Sequence, residues 1–150
     1  MSARAPSSRL LGRRTPIEDQ LRALALQDGR YSPEAFRFLF ESLQQAVRIA
    51  GKERAEGTAR HVTGQEVLAG MRAHALLLFG PLAGHVWRSW GVRETLDWGH
   101  IVFLLVEKGL LNRQETDTIE DFRAGFDFDQ AFVREYEVSL PDPTAPDAEA

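Results

Sequence analysis

The sequence predicts an all-α protein, a compact multi-helix domain with at most one or two very short strands. Three observations lead to this prediction. Capping residues and glycines divide the chain at short intervals into segments of helical length. Apolar residues inside these segments recur at positions i, i+3, i+4 and i+7, as on one face of a helix. Only residues 136–140 have even a weak strand character.

Composition limits both the architecture and the chemistry. The chain has 150 residues, 43% of them hydrophobic, which suffices for one ordinary domain with one core. It contains no cysteine, which excludes disulfide scaffolds, thiolate zinc sites, iron–sulfur clusters and cysteine nucleophiles. No apolar run approaches the ~20 residues that a spanning helix needs, and the first residues lack a signal-peptide stretch. We therefore expect a cytoplasmic protein that does not associate with membranes.

Charge divides the chain into three parts. Residues 1–14 contain four arginines and no acid, which predicts a flexible basic arm. Residues 139–150 contain three prolines and three acids, and they predict a disordered acidic tail because they offer little apolar surface to offset ordering entropy. Residues 15–138 are predicted to form a single helical domain. The formal net charge of −4 is uneven, since residues 107–150 hold 12 of the 22 acids.

Start and stop signals predict five helices in this domain, followed by two short amphipathic pieces. A capping hydroxyl or a proline begins each helix and a glycine ends it, because these residues suit the unpaired backbone groups at helix ends. The predicted helices run from Thr15 to Gly29, Ser32 to Gly51, Thr63 to Gly80, Pro81 to Gly91 and Thr95 to Gly109. Leu78 and Leu82 fall on the apolar arcs of the third and fourth helices.

The fourth and fifth helices, with the glycine turn between them, have the outline of a helix-turn-helix or winged-helix unit. Such a unit reads DNA when its second helix exposes Arg, Lys, Asn or Gln on a basic face. The fifth helix is apolar over more than half of its circumference, and an acidic stretch follows it. It is therefore predicted to be buried, and recognition of DNA by this helix is disfavoured.

Aromatic residues form two groups along the chain. Trp87, Trp90 and Trp98 lie around the turn between the last two helices, which is more typical of a core than of a ligand pocket. Phe122, Phe126, Phe128 and Phe132 recur among acids, which suits a segment that packs its rings on the core and keeps its charges in water.

Asp97 and His100 form the best acid–base pair in the chain. They stand three residues apart on the narrow polar stripe of the fifth helix, where a carboxylate can orient an imidazole for proton transfer. The same spacing is typical of a structural contact that satisfies a half-buried imidazole, and we favour that interpretation. The sequence contains no metal-ligand spacing of histidines, phosphate-binding glycine loop or nucleophile motif. We therefore expect neither enzymatic activity nor a cofactor or metal.

Several short motifs occur in order between residues 31 and 133. They are YSPEAF at 31–36, HVTGQE at 61–66, FGPLA at 79–83, WGVRET at 90–95, IVF at 101–103, EDF at 120–122 and FDFDQAF at 126–132. As a set, these motifs resemble those of a small bacterial family of unknown function. The resemblance implies one compact domain and brings no activity, substrate or cofactor. Leu104 departs from the pattern, since it stands where such sequences tend to carry a polar amide.

Two classes of function fit these observations. We prefer a non-enzymatic helical protein–protein interaction or adaptor module, because such a module needs no catalytic motif and tolerates a net negative charge. The alternative is a winged-helix-like regulatory protein associated with nucleic acid. The expected partner is another protein or a second copy of this chain. The candidate surface surrounds the polar loop after the second helix and consists of Arg48, Lys52, Arg54, Arg60 and His61.

Overall fold

The computed structural model describes residues 1–3 and 16–136. Within these ranges the chain forms five α-helices, together with two short strands that pair antiparallel. The predicted all-α class, with at most one or two very short strands, is confirmed. Residues 137–140, most of the segment with weak strand character, lie outside the described residues. The elements are β1 (Ser2–Ala3), α1 (Pro16–Asp28), α2 (Pro33–Ile49), α3 (Gly64–Phe79), α4 (Ala83–Ser89), α5 (Thr95–Glu107) and β2 (Leu111–Asn112).

Helix ends follow the local capping signals. The hydroxyl of Ser32 accepts a hydrogen bond from the backbone N–H of Glu34 at the start of α2. Thr63 and Glu66 form a reciprocal capping box at the start of α3, in which each side chain accepts from the other residue's backbone N–H. These interactions satisfy backbone donors that have no partner inside the helix.

The start of α5 differs from the predicted cap at Thr95. Glu94 is the residue before the helix. The backbone N–H of Glu94 donates a hydrogen bond to the carboxylate of Asp97 at 3.1 Å. Thr95 is the first helical residue and is buried. Its hydroxyl points away from the helix end, because it donates to the carbonyl of Phe122 at 2.6 Å and accepts from the N–H of Gly125 at 2.9 Å.

Helices α2 and α3 cross at close range. A Cβ atom on Gly70 would lie only 2.5 Å from the backbone nitrogen of Ala46, so the missing side chain is what allows this approach. Helix α1 packs against α2 on one flank, and α5 packs against the 3-10 turn Ile119–Phe122. These contacts fix the relative positions of the helices that carry the candidate residues.

Aromatic rings fill the centre of the domain. Trp87 and Trp98 are fully buried, with ring centroids 5.1 Å apart, and the ring of Phe38 lies 5.9 Å from Trp87. The expected packing of the C-terminal phenylalanines on this core is confirmed, and the acidic segment covers the apolar face around Trp87. The rings of this segment that contact Trp87 belong to Phe126, Phe128 and Phe132, at 5.0 to 6.1 Å.

The first residues of the chain differ from the predicted flexible arm. Ser2 pairs with Asn112 in the two-stranded ladder, and the side chain of Met1 is buried in the core. Hydrophobic burial and strand pairing therefore hold residues 1–3 against the domain. The remainder of the predicted arm and the predicted acidic tail lie outside the described residues.

The winged-helix-like part of the prediction stays unconfirmed. Helix α4 has seven residues and ends at Ser89, two residues before Gly91, whose φ is +91°. Strand β2 follows α5, but its partner is β1 from the start of the chain instead of the second strand of a hairpin. The inward face of α5 buries Trp98, Ile101 and Leu105, as its apolar sequence predicts.

One helical stretch of the described residues, Gly64–Ser89, has the length and apolar composition of a membrane span. This stretch is longer than the apolar runs expected from the sequence, because the 3-10 turn Gly80–Leu82 joins α3 to α4. Core helices of soluble proteins meet the same criterion. Met71 and Trp87 within this stretch are fully buried among the other helices.

Candidate interaction surfaces

The polar loop between α2 and α3 holds the residues predicted as a candidate surface, and internal contacts engage most of them. Arg48 forms an exposed ion pair with Glu53, with 2.8 Å between the guanidinium and the carboxylate. Arg60 donates a hydrogen bond to the backbone carbonyl of Glu53 at 2.9 Å. Arg54 is exposed. The loop therefore offers less available positive charge than its sequence indicates.

Lys52 and His61 belong to a partly buried polar cluster near the start of α3. Lys52 donates to the backbone carbonyl of His61 at 2.6 Å and forms an ion pair with Glu66 at 3.2 Å. The imidazole of His61 lies 2.8 Å from the carboxylate of Asp117, which is only 4% exposed. The amino group of Met1 lies 3.8 Å from the same carboxylate, and burial lowers the pKa of this amine to about 6. The cluster joins distant parts of the chain.

Asp97 and His100 meet a third side chain that the sequence does not single out. Tyr31 donates a hydrogen bond to Asp97 at 2.7 Å, and its oxygen lies 3.2 Å from Nδ1 of His100. The carboxylate and the imidazole are 3.8 Å apart. Burial, together with the bond to Asp97, raises the pKa of the Tyr31 phenol. The other carboxylate oxygen of Asp97 accepts a hydrogen bond from the backbone N–H of Glu94. Both oxygens therefore have partners within the fold, which favours a structural contact between Asp97 and His100 over proton transfer.

Long-range packing brings Tyr31 to this position. The turn at Gly91 approaches the loop before α2 so closely that a Cβ would lie 2.6 Å from the carbonyl oxygen of Arg30. The backbone N–H of Ser32 also donates to the carbonyl of Trp90 at 2.9 Å. No local signal in the sequence predicts this approach. In the described part of the chain, no group of three or more His, Asp or Glu residues is placed to hold a metal ion.

Exposed leucines cluster where α3 ends and α4 begins. Leu77, Leu78 and Leu82 have 75%, 52% and 62% of their surface exposed, and we call these three residues the elbow patch. Leu78 and Leu82 fall on arcs that the sequence marks as apolar, yet they are not buried. The chain changes direction between them at Gly80, whose φ is +54°, so the apolar periodicity does not continue across the turn.

A groove of about 390 Å³ runs along the outer face of α3, and its lining reaches Leu76, the residue before the elbow patch. Small side chains, Ala69 and Ala73, line its α3 side, and Phe126 from the C-terminal segment lies opposite. The guanidinium of Arg72 lies 5.9 Å from the centre of the Phe126 ring. Such a shallow apolar groove suits the side chains of another helix better than it suits a small polar ligand.

Two ion pairs flank the elbow patch along the chain. Arg72 pairs with Glu135, and Arg88 pairs with Asp129 at 3.2 Å. The fifteen residues between the two arginines include no Asp, Glu, Lys or Arg. Along the chain, the elbow patch therefore lies in an uncharged stretch between two arginines whose charges are paired.

Comparison of the chain with known protein families, with curated proteins and with solved structures found no match. The resemblance to a small bacterial family therefore stays a prediction.

Proposed function

We propose that this protein is a non-enzymatic helical interaction module that binds a protein partner through the elbow patch. The observation that carries the proposal is the exposure of three neighbouring leucines, Leu77, Leu78 and Leu82, at one turn of the fold. Single exposed leucines are common on protein surfaces, whereas several adjoining ones are typical of contact sites.

The energetics of the patch suit a partner that also fills the groove. Complete burial of one leucine contributes about 1.5–3 kcal/mol, and these side chains are already partly covered. Association costs an estimated 4–15 kcal/mol in translational and rotational freedom alone. Three leucines therefore support weak association, and contacts with Ala69, Ala73 and Phe126 in the groove would add to it.

The nucleic-acid alternative has less support from the contacts of its candidate residues. Arg48 and Lys52 have carboxylate partners within the chain, and Arg60 is bonded to a backbone carbonyl. Binding to phosphates needs cations that can exchange small counterions for the nucleic acid. The elbow patch has no such charge, and α5 buries Trp98, Ile101 and Leu105 in the core.

Photo-cross-linking of the full chain in cells of the organism that encodes it tests this proposal. A photoreactive phenylalanine analogue replaces Leu77, and the matched control carries it at Leu26, a 63% exposed leucine on α1. We expect a discrete protein adduct from position 77 that position 26 does not give. Equal adducts at both positions, or none at position 77, would overturn the proposal.

A further inference from the structure

We propose that the occupant of the elbow patch is the elbow patch of a second copy of this chain, in a two-fold symmetric dimer. This inference rests on the proposed function and names its partner. In a two-fold contact the same surface of each copy meets itself, so the surface must be complementary to itself in both polarity and charge.

The first condition is that the surface be complementary to itself in polarity, and the sequence around the patch meets this condition. Residues 73–87 include no Asp, Glu, Lys or Arg. A charged group pressed against this surface would lose its hydration without gaining a counter-charge, which is unfavourable. The surface therefore selects an uncharged apolar partner, and the same three leucines of a second copy provide one.

Charge is the second condition, and the two flanking ion pairs meet it. Arg72 and Glu135 are 35% and 46% exposed, and Arg88 and Asp129 are 41% and 66% exposed, so all four side chains can contact a neighbour. Each copy presents both signs of charge in the two pairs whose arginines precede and follow its leucines along the chain. A two-fold rotation can therefore place an arginine of one copy near a carboxylate of the other.

The same carboxylates oppose other occupants. An anionic membrane attracts a surface with an excess of Lys and Arg, but Glu135 and Asp129 neutralise the two flanking arginines. The same neutral pairs offer no excess positive charge to an acidic partner or a nucleic acid. A neutral patch with paired charges beside it favours a protein surface of the same composition.

The described part of the C-terminal segment, which ends at Tyr136, leaves the patch accessible. A Cβ on Gly80 would lie 3.8 Å from the ring of Tyr136, so this segment passes close to the turn. Leu77 nevertheless keeps three quarters of its surface in solvent and Leu82 keeps 62%. A second copy can therefore reach both leucines without displacing the segment that covers Trp87.

Sedimentation equilibrium of the full chain tests the dimer across about 1 µM to about 1 mM, the range of weak self-association. We expect the average mass to rise from 16.9 kDa towards twice that value. The double variant Leu77→Ser/Leu82→Ser should weaken association about tenfold or more, whereas Leu26→Ser should leave it unchanged. A dimer that forms equally well in the double variant would overturn the inference.

Cysteine cross-linking gives a second readout, because the chain contains no cysteine of its own. Leu77→Cys should form an intermolecular disulfide on mild oxidation, and Leu26→Cys should not. A chain that stays monomeric, with a position-77 photo-adduct to a different protein, would overturn the dimer and leave the proposed function intact. A monomeric chain without that adduct would overturn both.

Discussion

Thr95 and Ser42 are buried hydroxyls in opposite surroundings. Thr95 donates to the carbonyl of Phe122 and accepts from the amide of Gly125, so it connects α5 to the segment that follows it. Ser42 is fully buried in α2, and its hydroxyl has no hydrogen-bond partner. Because a satisfied buried hydroxyl stabilises the fold and an unsatisfied one destabilises it, these residues should respond in opposite directions to mutation.

Replacing each hydroxyl tests this expectation. Thr95→Val keeps the side-chain volume but leaves two backbone groups without their partner, so it should lower the free energy of unfolding by about 1–3 kcal/mol. Ser42→Ala removes an unpaired hydroxyl from a helix interior and should raise that free energy by about 0.5–1 kcal/mol. Urea unfolding of both variants measures the changes. Equal stability of Thr95→Val and the unsubstituted chain would contradict the role assigned to these bonds.

Individual residues also mark where sequence information ends. The spacing of Asp97 and His100 predicts their proximity because both stand on one helix. Tyr31 completes the group from 66 positions away, and no spacing rule reaches that far. The basic loop is similar, because the sequence identifies Lys52 and His61 but cannot predict that Glu66 and Asp117 engage them.

Among the elements, the pair α2 and α3 depends most on one missing side chain. Gly70→Ala would gain up to about 1 kcal/mol of helix propensity. It would also place a methyl group 2.5 Å from the backbone of Ala46, and relieving this overlap costs about 1–3 kcal/mol or more. We therefore expect a net loss of stability and a lower thermal midpoint by circular dichroism.

Gly84 in α4 provides the matched control for Gly70. Its nearest contacts to an added Cβ are at 3.4 Å, an ordinary van der Waals distance. Gly84→Ala should therefore keep the thermal midpoint or raise it slightly through helix propensity. If Gly70→Ala also raised the midpoint, α2 and α3 would not approach each other as closely as described.

The sequence predicts where the helices begin and end better than it predicts what packs against them. Ser32, Thr63 and the glycines that end the helices act within one helical turn, so the sequence predicts the helices nearly to the residue. The exposure of Leu78 and Leu82 depends on the turn at Gly80 and on what packs beside it. The spacing of apolar residues does not show where the chain turns or what packs beside the turn. For this reason the sequence does not predict the elbow patch.

On the scale of the whole molecule, the C-terminal segment completes the core. Three phenylalanine rings from residues 126–132 surround Trp87, and two of them are almost fully buried. Removing this segment would expose Trp87 to water and would also remove several buried phenylalanine rings. Replacing one such ring by alanine lowers the free energy of unfolding by about 3–5 kcal/mol. Such a loss approaches the total stability of an ordinary domain.

Two truncations test this view and the predicted domain boundary together. A chain of residues 1–124 should lose its cooperative unfolding transition and shift its tryptophan emission to the red, because Trp87 becomes solvated. A chain of residues 1–138 should keep the thermal midpoint and emission of the full chain. Native emission from residues 1–124 would show that the phenylalanines do not close the core.

The covering of Trp87 also has a consequence for the order of synthesis. The ribosome releases α1 to α5 before the rings that cover Trp87, and β1 must wait for β2 before it can pair. At roughly 5–20 residues per second, Trp87 precedes Phe132 by roughly 2–9 s. During this interval the nascent chain presents an open aromatic face, so the core can be completed only after residue 132 has been synthesised.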